Sequence, residues 1–225
     1  MALTDDERNL LKDALQRFTI EAYDDKSRRT AMESALGFSR ERWRSFADFG
    51  WLAIYISTDL GGIGGSFRDA CLVMEYVGRS LIVEPLLESA IVGAWLIEQG
   101  SPCQWRKRWL EGIARGELLV ALAHFESRGG FDREWVTTTF RKAADGFVLS
   151  GTKSPVHQGP SADLLIVSAM SQDDGGLALF GIDRETHGVH VHSARAVDGT
   201  PLAKITFDNV LVDESRRSMP SSFSP

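Results

Sequence analysis

Apolar positions recur with a period near 3.6 along the first half of the chain, and the period falls to 2 beyond Gly116. That change predicts a helical half followed by a half built of strands. Thr4 followed by Glu7 is a capping box, in which each side chain can satisfy the other residue's free backbone N–H. Leu10, Leu11, Ala14, Leu15 and Phe18 then mark one helical face. Ser39 can open a second helix, with Trp43, Phe46 and Ala47 inward and Gly50 as its stop. Trp51–Ser57 is a short apolar run leading into a glycine-rich loop. Ser66 caps the next helix, with Asp69 near its positive end and Ala70, Val73, Met74 and Val77 on its inner face. A further helix is expected over roughly Leu86–Gln99, ended by Gly100. Ser101-Pro102 should open a last one, striped by Trp105, Trp109 and Ile113.

The second half reads LLVALAHF, WVTTTFRKA, FVLSGTKS, ADLLIVSAM, LALFGID, GVHVHSA and LAKITFDNVLV, all short and rich in β-branched residues. Asp145-Gly146 and Asp173–Gly176 are turns of hairpin type between such runs. About seven strands at this spacing imply an antiparallel sandwich or barrel. The expected class is therefore α+β: an all-helical N-terminal domain over 1–116, then an antiparallel β-barrel or sandwich domain over 117–215. A polar Ser/Pro-rich tail over 216–225 is expected to be disordered.

With 225 residues, 43% of them hydrophobic and 25% charged, the composition is that of a globular chain with room for two small domains. A net charge of −6 argues against nucleic acid as a partner, although a local basic patch for phosphates stays compatible with it. No run approaches the ~18 apolar residues of a membrane span. The acidic N-terminus has no signal-peptide core, so a cytoplasmic location is expected. Cys71 and Cys103 lack metal-ligand spacing and read as reduced core cysteines. His187, His190 and His192 form an H-x-x-H-x-H cluster, read as surface-strand histidines rather than a metal site. Gly61–Gly65 is a connecting loop and not a dinucleotide fingerprint, because Phe67 stands where the third glycine of G-x-G-x-x-G belongs.

Two segments carry a resemblance. In LAHFESRGGFD (Leu122–Asp132), Glu126, Gly130 and Asp132 match the spacing of a T-E-P-G-x-G-S-D loop. In GTKSPVHQ (Gly151–Gln158), Gly151 and Lys153 match a G-x-K-x-W-I-T-N strand. Together with GWLAIYISTDLGGIGGS and the closing FDNVLVDES, they resemble the N-terminal and middle domains of the acyl-CoA dehydrogenase family. The resemblance implies an FAD-dependent oxidoreductase of fatty acid metabolism, in which a glutamate takes the α-proton of an acyl thioester while a β-hydride leaves to the flavin.

Position by position, the resemblance implies cofactor-binding roles for Leu122, His124, Phe125, Pro155, Val156 and His157. Phe125 stands for the family's flavin-contacting Thr, Pro155 for its Trp, Val156 for its Ile and His157 for the Thr that reaches N5. Substrate contacts fall on Gly130, on Phe131 in place of a Ser, and on Arg128, which can meet a CoA phosphate or be a solvated loop residue. The Gly61–Gly65 loop is expected near the acyl pocket, where Ile63 is a further candidate. Glu126 belongs to the loop motif and is not taken as the base. The base is expected in a C-terminal helical domain that family members carry after the point where this chain stops. No catalytic residue is therefore assigned, and the chain is expected to be inactive alone. It should expose apolar surface and assemble, as a homo- or hetero-oligomer, with a chain supplying that domain. The alternative is a non-catalytic structural or acyl-CoA-binding relative that keeps the fold without flavin.

Overall fold

The computed structural model describes residues 3–130 and 132–218. Helices α1 (Asp5–Glu21), α2 (Asp25–Glu33), α3 (Arg40–Asp48), α4 (Phe67–Arg79), α5 (Ala94–Gln99) and α6 (Arg106–Ala114) come first. Strands β1 (Val120–Ala123), β2 (Thr139–Ala143), β3 (Gly146–His157), β4 (Leu164–Ser171), β5 (Leu177–Asp183), β6 (Val189–Arg195), β7 (Pro201–Val212) and β8 (Arg217–Ser218) follow.

The helix starts are chemical. Thr4 and Glu7 cap α1 reciprocally, and Ser39 accepts from the Arg42 N–H at 3.3 Å to start α3. Ser66 and Asp69 form a second capping box on α4, where buried Asp69 also accepts from Arg8 of α1 at 2.6 Å. Phe18, Phe46 and Trp51 pack with centroids 5.0–5.3 Å apart and form the aromatic centre of the helical core. The apolar stripe of α1 is narrower than its sequence suggests: Leu15 is fully buried, while Leu10 and Ala14 face outward. Cys71 is exposed, a correction to its reading as a core residue, because α4 turns Ala70 and Val73 inward and leaves position 71 off that stripe.

Three helical expectations change. Helix α2 was not expected; Asp24 caps it, but Ala31 is its one buried residue, so it leaves almost no apolar pattern. The expected Leu86–Gln99 helix is π-wound over Leu86–Gly93 before continuing as α5. Helix α6 begins at Arg106, not at Ser101-Pro102, so that Trp105 and Trp109 stack at 6.2 Å, interplanar angle 20°.

All seven expected strands form, and they build one curled sheet in the order β6-β7-β3-β2-β4-β5-β8, with β1 also beside β4. The sheet is mixed, not wholly antiparallel. Strand β1 runs parallel to β4 (Val120↔Leu164 to Ala123↔Val167), and β2 runs parallel to the far end of the same strand (Thr139↔Met170, Phe140↔Ser171). Strands β1 and β2 thus behave as one strand interrupted by residues 124–138. Strand β4 is apolar on both sides: Leu164 and Ile166 join the helical core, while Leu165 and Val167 join the core of the sheet.

The tail is ordered as far as Ser218, which corrects the expected disorder from 216 on; residues 219–225 lie outside the described residues. Ser215 accepts from Trp105 Nε1 at 3.0 Å, and Arg216 pairs with Asp183 at 2.8 Å while lying 4.5 Å from the Trp105 ring centroid. Arg217 then pairs with Phe180 of β5. A polar segment is fixed here because Ser215 and Arg216 meet specific partners.

Candidate functional site

The interruption between β1 and β2 is held open by one buried polar network. Lys153, on β3, is fully buried. Its ammonium donates to Glu126 Oε1 at 2.8 Å, to Ser168 Oγ at 3.0 Å and to the His124 carbonyl at 3.1 Å, which uses all three of its protons. Glu126 accepts in addition from the Thr137 N–H at 2.9 Å, the Thr138 N–H at 2.9 Å, the Thr138 hydroxyl at 2.8 Å and the Thr137 hydroxyl. Burial alone would raise this carboxyl. The Lys153 ammonium and the Thr137 and Thr138 donors outweigh burial and hold it at about 2.

Histidine 124 continues the network. Its Nε2 lies 2.8 Å from the Arg133 carbonyl, which can only accept, so Nε2 carries the proton. Nδ1, 2.9 Å from Ser168 Oγ, is then the acceptor. Ser168 therefore accepts from Lys153 and donates to His124, and burial lowers the His124 pKa, favouring the neutral ring. Both ring nitrogens are committed inside the protein.

Around this network the other predicted residues take separate positions. The Phe125 carbonyl accepts from the Ser154 N–H at 2.8 Å, joining the loop to β3, and its ring is 37% exposed. Pro155, after a cis peptide bond, and His157 are exposed, while Val156 between them is buried in the sheet core. Leu122 points the other way and packs against the helical core. Arg128 and Gly130 lie in an exposed turn, where Gly130 has φ +57° and open space about it. Phe131 lies outside the described residues. Phe125, Pro155 and His157 are thus each exposed, with the loop tied to β3 at Ser154, while Leu122 and His124 are turned inward. His187, His190 and His192 are exposed in and just before edge strand β6. Among the described residues no group of three or more His, Cys, Asp or Glu is placed to hold a metal.

Beside His157 lies a cleft of about 330 Å³ between α2, α4, the π-wound segment and the β6–β7 turn. Its walls include Met74, Val77, Leu81 and Leu87, with Glu88, Gln158 and Asp198 as polar members. None of Gly61–Gly65 lines it. That loop instead folds back on the preceding turn, its N–H groups donating to the carbonyls of Ala53, Ile54, Ile56 and Ser57.

The motif residues Glu126 and Lys153, distant in sequence, are joined as spacing alone could not show. Thr137, Thr138 and Ser168 were missed, as was Glu88. The only sequence signals were a run of threonines and a lone carboxylate in LLESAIVG.

Comparison with known proteins places this architecture. Residues 5–117 match the family model "Acyl-CoA dehydrogenase, N-terminal domain", and residues 121–210 match "Acyl-CoA dehydrogenase, middle domain". The chain belongs to the acyl-CoA dehydrogenase family. Benzylmalonyl-CoA dehydrogenase of Aromatoleum aromaticum is 24% identical over 218 residues, which cover 94% of this chain and 57% of that protein. Among solved structures, the ChsE4-ChsE5 complex from Mycobacterium tuberculosis matches with TM-score 0.87 at 22% identity, over 97% of this chain and 58% of the other. The FAD complex of PigA matches with TM-score 0.84 at 22% identity, over 99% and 60%. The chain spans about half the length of the relatives it matches. No helix among the described residues is long and apolar enough to cross a membrane.

Proposed function

We propose that this chain supplies the FAD-binding face and part of the acyl-CoA site of a flavin-dependent acyl-CoA dehydrogenase, and that it is inactive by itself. The observation that carries this reading is the Lys153–Glu126–Thr137–Thr138 network, which fixes the loop after β1 against β3, with Phe125, Pro155 and His157 exposed on these two segments. An exposed apolar edge with one ring donor beside a cleft fits a flat heteroaromatic group with an acceptor on its rim. When bound, the flavin accepts the hydride that leaves the β-carbon of the acyl thioester.

Each residue then has a task. Phe125 offers a ring face. His157 donates through one imidazole nitrogen to the acceptor rim of the flavin, replacing the donor that the family's threonine provides. Pro155 offers only apolar contact, since it has no N–H. Val156 anchors the strand in the sheet core, and Leu122 braces β1 from below against the helices. His124 acts by position, locking the loop through Ser168 and Arg133. Arg128 meets a phosphate of CoA, with Gly130 against the thioester arm. Glu126 is no base, because its carboxylate is already saturated with donors. We place the α-proton base on a further helical domain, in continuing sequence or in a second chain of a homo- or hetero-oligomer.

Two observations favour the second reading, a non-catalytic acyl-CoA-binding relative without flavin: His124 is turned inward, and Pro155 lacks a donor. FAD titration of the purified chain, followed by quenching of flavin fluorescence, separates the two. The dehydrogenase reading expects saturable quenching, weakened roughly tenfold by His157→Ala, the loss of about one hydrogen bond. Absence of quenching by the folded chain supports the second reading.

A further inference from the structure

The cleft beside His157 contains one acidic group to which no other described residue donates a hydrogen bond. Glu84 is satisfied by Tyr23 Oη at 2.9 Å and the Ser39 N–H at 3.3 Å, with Arg42 3.8 Å away. Asp198 accepts from the Thr200 N–H at 2.9 Å. Arg28 is engaged by Asp25 at 3.2 Å. Glu88 lines the same cleft and alone among these acidic groups receives no hydrogen bond and no ion pair from another described residue. It stands in the π-wound segment, a form of helix that recurs at functional sites. Its neighbour Ser89 is buried against the sheet and accepts from the Val120 N–H at 3.0 Å, which fixes the segment while Glu88 lines the cleft. Burial raises the Glu88 carboxyl, and the nearby His157 partly opposes that. A half-buried carboxyl beside Leu87 and Leu81 gains when a ligand brings it a partner.

We propose that this cleft selects acyl thioesters whose distal end carries a hydroxyl group, which hydrogen-bonds to the Glu88 carboxyl. Met74, Val77, Leu81 and Leu87 enclose the acyl chain. A hydroxyl suits Glu88 in either protonation state, donating to the carboxylate or accepting from the acid. An ammonium must leave its water to enter between the apolar walls, a larger cost than for a neutral hydroxyl, and a carboxylate is opposed by Glu88 and Asp198. The inference rests on the dehydrogenase reading for the thioester; the hydroxyl follows from the cleft.

The test is calorimetric binding of octanoyl-CoA and of its terminally hydroxylated counterpart to the full chain and to the variants Glu88→Leu and Glu88→Gln. The wild-type chain should favour the hydroxylated thioester by about tenfold. Glu88→Leu should reverse the order, while Glu88→Gln, which still accepts through its amide oxygen, should keep part of the preference. Leucine in place of an unsupported carboxyl should leave the thermal midpoint unchanged or raise it, so a lost preference is not lost folding. Equal binding of both thioesters by the wild type, or a preference that survives Glu88→Leu, overturns the inference and leaves the dehydrogenase reading intact. Binding of neither overturns both.

Discussion

Lys153 shows what a single side chain can decide. A lysine at 0% exposure persists only where its charge and all its protons are met, and Glu126, Ser168 and the His124 carbonyl meet them. Replacement by methionine keeps the volume and leaves Glu126 buried without its counter-charge. Lys153→Met should therefore lower stability by about 3–5 kcal/mol in urea denaturation, the usual cost of breaking such a pair from one side. Acid should act on the same pair. Glu126 titrates at about 2 in the folded protein against an ordinary 4.5. A depressed folded value means that its stabilisation is fully present above the unfolded pKa and is lost as pH falls toward the folded one. On the order of 3 kcal/mol should disappear between about pH 4.5 and 2. Thermal midpoints across that window should fall less steeply in Glu126→Gln than in the parent. At this scale the sequence named Glu126 and Lys153 through their motifs, but Thr137, Thr138, Ser168 and Glu88 went unread. Their roles come from contacts across the fold that no local spacing encodes.

At the scale of elements, the capping box at Thr4, the Ser66 cap and all seven longer strands were legible, because each is written in local chemistry or in a period. Pairing direction was not. Alternation marks which face of a strand is buried and says nothing about its neighbour, so the parallel contacts of β1 and β2 with β4 came only with the fold. The start of α6 was misread for a related reason, since Ser101-Pro102 is a sound local signal overridden by the stacking of Trp105 on Trp109 and by Arg216. The interrupted strand depends on a close approach at Gly151. A Cβ there would stand 2.5 Å from Thr138 Oγ1 and 2.6 Å from Thr138 Cα, displacing the residue that supports Glu126. Gly151→Ala should lower the urea midpoint, with a loss of about 1–3 kcal/mol and little change in the slope.

At the scale of the whole molecule, helices and sheet are tied by the apolar face of β4, by the Val120 N–H on Ser89, by Arg195 on the Met32 and Ser34 carbonyls, and by the clasp of Arg216 on Trp105 and Asp183. Arg216→Ala should cost about 1 kcal/mol in thermal or urea unfolding, within the range of a single cation–π contact. Family and architecture were readable from the sequence because the loop and strand motifs also specify the network that builds the junction. Which motif positions are accessible is less legible: Leu122 and His124 are turned inward, whereas Phe125, Pro155 and His157 are exposed. The proposed flavin contact at Phe125, Pro155 and His157 is open to amide hydrogen exchange of the chain with and without FAD. Slowed exchange is expected in peptides covering 122–132 and 153–160, with the Gly61–Gly65 loop unchanged. Protection confined to other segments, or no protection at FAD concentrations that saturate fluorescence quenching, would contradict it.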